Sequence, residues 1–176
     1  MDREALLTAT YACIARNGID RTTVEDAARE AGVSRATVYR WFPGGRDQLL
    51  ADTIAWQTDQ FFVRLAHEVE HLERLEDVVA TALRQGHRWL QEHEVLQRLV
   101  ATEAGRVIPT IDDEVRRLVP EIARFLEPWL PHGDPVAAEY VARMVLSLIG
   151  SPGRWDLDDD AQLAELVRTE ILAGVR

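Results

Sequence analysis

The sequence predicts an all-α protein, with an N-terminal three-helix bundle containing a helix-turn-helix and a larger C-terminal helical domain. Three observations predict it. Apolar residues recur at helical spacing along almost the whole chain, without the alternation of strands. The 176 residues are 47% hydrophobic with only 10 Gly and 7 Pro, which describes an ordered, helix-rich chain able to bury a core in one or two small domains. Residues 24–42, VEDAAREAGVSRATVYRWF, hold two short apolar-periodic segments separated by Gly32 and reopened by Ser34.

The elements follow in order. A first helix spans Arg3 to Asn17 with Leu7, Tyr11 and Ile14 on one face, and Gly18 ends it. In the second, Val24, Ala27, Ala28 and Ala31 form a small apolar face, Thr22 is the expected N-cap, and Glu25 closes a capping box. Gly32 supplies the left-handed residue that stops this helix, and Val33 tucks under the turn. Ser34 caps the third helix, which buries Val38 and Phe42 and turns Arg35, Ala36, Thr37, Tyr39 and Arg40 outward. Two helices joined by a short glycine turn, the second showing basic, hydroxyl and small residues, form a helix-turn-helix with the second helix as reader.

Pro43-Gly44-Gly45 breaks the chain before Arg46-Asp47 opens a long fourth helix through Leu49, Leu50, Ile54, Trp56, Phe61 and Phe62 to about Val69. The break places a domain boundary between residues 1–46 and 47–176. Leu75 to His93 reads as a fifth helix with Val78, Val79, Ala82, Leu83 and Trp89 apolar, and Val95 to Ala104 as a short sixth. A seventh starts at Pro109, where Pro120 is expected to kink or split it. Phe125, Leu126, Trp129 and Leu130 form a bulky cluster before the turn at residues 131–135. Val136 to Ile149 is apolar over most of its circumference, so it is either buried between the core and a partner subunit or the central helix of a monomer. Asp158, Asp159 and Asp160 favour the start of a last helix whose stripe is Leu163, Leu166, Val167 and Ile171.

The net charge of −10 is unevenly placed. Residues 1–50 carry seven Arg and seven acids, so the excess lies entirely in residues 51–176. From Ala31 to Arg46 there is no acid, while Arg35, Arg40 and Arg46 are present: the local bias of a phosphate-facing surface. The single cysteine, Cys13, excludes an intrachain disulfide and suits a reducing compartment. The N-terminus MDREALL has no signal-peptide core and no apolar run reaches membrane-spanning length, so a cytoplasmic protein without membrane contact is expected. Nucleophile–base sets and phosphate-cradling glycine loops are missing, and no enzyme activity or cofactor is expected. One motif competes. His67-Glu68-Val69-Glu70-His71 matches the H-E-x-x-H zinc signature, but acids surround it and His87, His93 and His132 fall in no ligand spacing with it, so no metal is expected.

The run Thr22-Thr23-Val24, Ala28, Ala31-Gly32-Val33-Ser34, Thr37, Val38-Tyr39 and Phe42, followed by Arg46 and Leu49, resembles the tetracycline-repressor-type (TetR) transcriptional regulators over roughly the first 50 residues. The chain departs from the family's pattern at Ala36, where Gly is usual, at Trp41, commonly His or Tyr, and at Arg46, often Lys. The resemblance implies a homodimeric, ligand-released repressor on a palindromic operator, with DNA contacts from Thr23, Arg35, Ala36, Thr37, Tyr39, Arg40, Trp41 and Arg46. Thr37, Tyr39 and Arg46 are then phosphate contacts, while Arg35 and Arg40 are candidates for base edges because arginine bridges guanine O6 and N7. Trp41 packs on the DNA backbone or on the first helix. In the C-terminal ligand-sensing and dimerisation domain, Phe62, Trp89, Phe125, Trp129 and Met144 are candidate walls for a small apolar effector. The helices around 136–150 and 160–173 are the expected dimer contacts.

Overall fold

The computed structural model describes residues 2–92 and 117–175, which fall into two compact units: one runs to Val63, the other joins Arg64–Glu92 to residues 117–175. The described residues form eight helices and no strand. The expected helix Val95–Ala104 and the start of the next at Pro109 lie outside them.

The first unit contains α1 (Arg3–Asn17), α2 (Val24–Glu30), α3 (Arg35–Trp41) and most of α4 (Gly45–Val69). Asp2 caps α1 by accepting from the Ala5 N–H at 2.9 Å. Leu6, Leu7, Thr10, Cys13 and Ile14 form its buried face, whereas Tyr11, expected there, is half-buried. The cap of α2 sits one residue later than its sequence suggests. Thr23, not Thr22, is the N-cap, and Asp26, not Glu25, completes the capping box. The reason is tertiary: Thr22 is buried and its hydroxyl donates to the Gly18 carbonyl at 2.8 Å, while the Glu25 carboxylate takes Arg35 as partner.

Removing that cap by Thr23→Ala is expected to cost about 0.5–2 kcal/mol. A urea titration should show a lower midpoint with an unchanged slope, and an unaltered midpoint would reject the capping role.

The end of α2 matches expectation. Gly32 takes φ 65°, the Gly32 N–H donates to Arg29 O at 3.2 Å and the Val33 N–H to Ala28 O at 2.9 Å, the two bonds of a Schellman turn. Val33 then packs against the cluster of Leu6, Leu7, Val24, Ala28, Val38, Phe42 and Leu49 that closes the three helices. This core holds α3 by one face and leaves the opposite face outside.

In the second unit, α5 (Leu75–Glu92) packs along α7 (Pro135–Gly150). Between them lie α6, residues 117–126, and two 3-10 turns, Glu127–Trp129 and Pro131–Gly133. Residues 117–126 are helical on through Pro120, and the preceding stretch, where a kink or split was expected to show, lies outside the described residues. Asp134 caps α7, which buries Ala138, Val141, Ala142 and Val145 and leaves Val136 and Tyr140 exposed. Its last turn abuts α5: Ile149 lies against Gly86, and its carbonyl is 3.0 Å from His87 Nδ1. The final helix α8 (Asp160–Leu166), capped by Asp159, widens into a π turn, Val167–Ile171. Leu163, Leu166, Val167 and Ile171 are all buried, as their spacing predicts. The loop before α8 is tied to α5 by Arg84, on the Leu157 carbonyl and Asp160, and by Arg88, on Asp158.

Candidate nucleic-acid interface

The outward face of α3 is presented by local rules and a small core. Ser34 starts the helix, its Oγ accepting from the Thr37 N–H at 3.1 Å and lying 3.0 Å from Thr37 Oγ1. Val38 and Phe42 sink completely into the core. Arg35, Ala36, Tyr39 and Arg40 are therefore exposed, with Thr37 and Trp41 half-buried at the margins. Trp41 also packs against the core cluster of the first unit.

The three arginines of the acid-free window are placed in three ways. Arg40 is exposed, its guanidinium 5.9 Å from the centroid of the Trp41 ring, so the indole supports the cation without sealing it. Arg35 donates to Glu25 Oε1 at 2.7 Å across the tips of α2 and α3, and both side chains stay mostly exposed. The hydrogen bond from Arg35 holds the Glu25 carboxyl below the usual carboxylate range and raises the guanidinium in return. Arg46, expected to contact phosphate, is part-buried: Nε donates to the Thr22 carbonyl at 2.8 Å and Nη2 to the Ile19 carbonyl. Thr23 is exposed but engaged, its hydroxyl donating to Asp26 Oδ2 at 2.6 Å. The Tyr39 ring edge lies against Gly45, where a Cβ would come 3.4 Å from its Cε1, so the ring bridges α3 to the first residue of α4.

Two contacts of this region were not read from the sequence. Glu25 acts here as the partner of Arg35, and Arg3 stacks 4.9 Å over the Phe42 ring while pairing with Asp52 at 2.6 Å. No periodicity signals either, because each contact joins residues ten or more apart.

The candidate effector residues are divided between the two units. Phe62 belongs to the first unit, edge-to-face on Phe61 at 5.3 Å, and the other four to the second. There Phe125 and Trp129 stack at 5.2 Å, and the Trp129 indole donates to the Leu72 carbonyl at 2.9 Å. Trp89 on α5 and Met144 on α7 are half-buried. A groove of about 290 Å³ between α6 and α7, lined by Val119, Pro120, Ala123, Arg124, Glu139 and Arg143 among others, includes none of the five.

The H-E-x-x-H stretch has no zinc-site geometry. Helix α4 ends at Val69, so His67 and His71 do not share a regular helical turn, and His67 is exposed with Nδ1 3.1 Å from Glu70 Oε1. Among the described residues no three His, Cys, Asp or Glu side chains are grouped to hold a metal ion, and no helix is long and apolar enough to cross a membrane.

Residues 6–53 match the family described as bacterial regulatory proteins, tetR family. An uncharacterized HTH-type transcriptional regulator of Mycobacterium tuberculosis is 30% identical over 152 residues, 82% of this chain and 72% of that protein. A transcriptional regulator of Streptomyces coelicolor A3(2) superposes with a TM-score of 0.72 at 22% identity, covering 94% of this chain and 95% of the other. The regulator FadR of Bacillus subtilis, solved in complex with stearoyl-CoA, superposes with a TM-score of 0.62 at 17% identity over 96% and 98% of the two chains. These relatives are regulators, not enzymes. An exposed reading helix on a glycine-turned pair, inside a matching stretch of sequence and a matching all-helical fold, makes this chain a member of the tetR family of bacterial transcriptional regulators.

Proposed function

We propose that this regulator is a cytoplasmic, ligand-released repressor acting as a homodimer on a palindromic operator, with residues 1–46 binding DNA and 47–176 sensing ligand and dimerising. The observation that carries the reading is the exposed outer face of α3, where Arg35, Ala36, Tyr39 and Arg40 stand free of the core beside Thr37 and Trp41. Arg40 and Arg35 reach guanine edges, Thr37 and Tyr39 give hydroxyls to phosphate, Ala36 lets the backbone approach, and Thr23 and Trp41 flank the contact. Two such helices enter successive major grooves about one helical turn apart, near 34–36 Å.

Pairing through the helices around 136–150 and 160–173 is supported by the exposed Val136 and Tyr140 on α7, beside the π turn that follows α8, where the Tyr140 hydroxyl donates to the Glu170 carbonyl. The half-buried Trp89, Trp129 and Met144, with Phe62 and Phe125, suit an apolar or amphipathic effector, a class to which the stearoyl-CoA bound by FadR belongs. Effector binding then favours an arrangement of the two heads that no longer fits one duplex.

Selection of bound duplexes from a random pool tests the reading. An inverted repeat with half-sites one turn apart is expected; a pool without an enriched sequence would overturn it. On the selected duplex, Arg40→Ala is expected to relax preference at one base pair per half-site, costing about 1–3 kcal/mol there. Identical sequence preference in the variant and the parent, measured on a randomised operator library, would reject the assignment of Arg40.

A further inference from the structure

We propose that Arg46 is a positioning residue: a two-pronged clamp that sets the reading helix relative to α4, and not a phosphate contact. The inference rests on the reading of α3 as the DNA-binding helix. Arg46 is the second residue of α4, and its planar fork reaches back over more than twenty residues to the turn between α1 and α2. Nε takes the Thr22 carbonyl at 2.8 Å and Nη2 the Ile19 carbonyl, while Nη1 lies 3.5 Å from Asp47 Oδ1. The Ile19 carbonyl also accepts the Thr22 N–H at 3.2 Å, so the clamp closes on a formed turn.

Both anchor points are part-buried carbonyls that follow the end of α1, where unpartnered acceptors are costly and a cation is favoured. Directly after Thr22 comes Thr23, the N-cap of α2, and α2 carries α3 on the Schellman turn at Gly32. The fork therefore joins the first turn of α4 to the base of the helix pair that presents Arg35 and Arg40. Since α4 runs unbroken from Gly45 to Val69 and is shared by both units, a displacement of its first turn passes through Arg46 to the start of α2. Only arginine can do this with one side chain, because its donors lie in a rigid plane; lysine keeps the charge but presents a single ammonium.

Charge and clamp are separable by experiment. The wild-type protein, Arg46→Lys and Arg46→Ala are titrated over a range of salt onto a duplex that the wild type selects from a random pool, and onto a scrambled duplex. Amide exchange of Thr22, Thr23 and Val24 is followed in the same three proteins. The clamp predicts that both variants lose about tenfold on the selected duplex, the effect of losing one to two hydrogen bonds that fix the turn. It further predicts an unchanged salt slope, unchanged affinity for the scrambled duplex, and faster exchange at the three amides in both variants.

Wild-type affinity in Arg46→Lys, together with a slope lowered by about one unit in Arg46→Ala, would identify a phosphate contact and overturn the proposal. Unaltered amide exchange in both variants would overturn it equally. Should Arg46→Ala fail to fold, Arg46→Lys alone still decides: reduced affinity with faster exchange supports the clamp, and wild-type affinity overturns it. A wild type that selects no duplex would sink the DNA-binding reading, while the exchange measurement still decides on the clamp.

Discussion

Phe42→Ala is expected to destabilise the first unit by about 3–5 kcal/mol, the range for deleting a fully buried aromatic ring. The ring is completely enclosed among Leu6, Leu7, Val24, Val38 and Leu49, with the Arg3 guanidinium over its face at 4.9 Å. The cluster it belongs to draws on α1, α2, α3 and α4 together, so the cavity cannot collapse without moving a helix. A core drawn from so short a stretch has little stability in reserve, and a loss of this size is a large share of the roughly 5–15 kcal/mol of an ordinary domain. Amides of α1 to α3 should lose protection while those of α5 and α7 keep theirs, and duplex binding should disappear with the head.

Tyr39→Ala supplies the contrast. Tyr39 lies three residues earlier, inside α3, and is 49% exposed, so its truncation should cost about 1 kcal/mol or less, well below that of Phe42, while still weakening DNA binding. Protection of α1 to α3 in Phe42→Ala within about 1 kcal/mol of the parent would show that the ring does not organise the head.

The contrast between these neighbours was legible in the sequence, because helical spacing alone separates Val38 and Phe42 from Arg35, Tyr39 and Arg40. The Gly32 turn and the Ser34 cap were legible for the same reason: each depends on conformations and hydrogen bonds within a few residues. Legibility stopped where two local solutions were equally good. Thr22 and Thr23 each have an acid three residues on, and the choice between them was made by the Gly18 carbonyl and the burial of Thr22. The acid-free window picks out the arginines, but the partners of Arg46 are carbonyls 24 and 27 residues away in the chain, which no local pattern signals. The pairing of Arg35 with Glu25 across ten residues is equally non-local. For the aromatic set, composition could not distinguish Phe62, in the first unit, from Phe125 and Trp129, which stack in the second.

Gly86→Leu is expected to destabilise the second unit by about 1–3 kcal/mol, through overpacking of the α5–α7 contact. A Cβ built on Gly86 would lie 2.4 Å from Ile149 Cδ1 and 2.9 Å from Cγ1, closer than nonbonded carbons allow. For Gly86→Ala two effects nearly offset. Replacing a mid-helix glycine gains about 1 kcal/mol in helix propensity, and the nearest atom is the swinging end of a side chain, so the net change should be small. Leucine adds three more carbons in the same direction, and rotation of Ile149 cannot clear them because its β-branched stem is itself in contact. The strain then falls on the end of α7, where His87 Nδ1 meets the Ile149 carbonyl, and α7 is the helix proposed to pair the subunits. Ile149→Ala should restore part of the loss when combined with Gly86→Leu although it destabilises the parent on its own, giving a coupling of about 0.5–3 kcal/mol in a double-mutant cycle read by urea unfolding. Strict additivity of the two substitutions would mean that this contact is not what requires glycine at position 86.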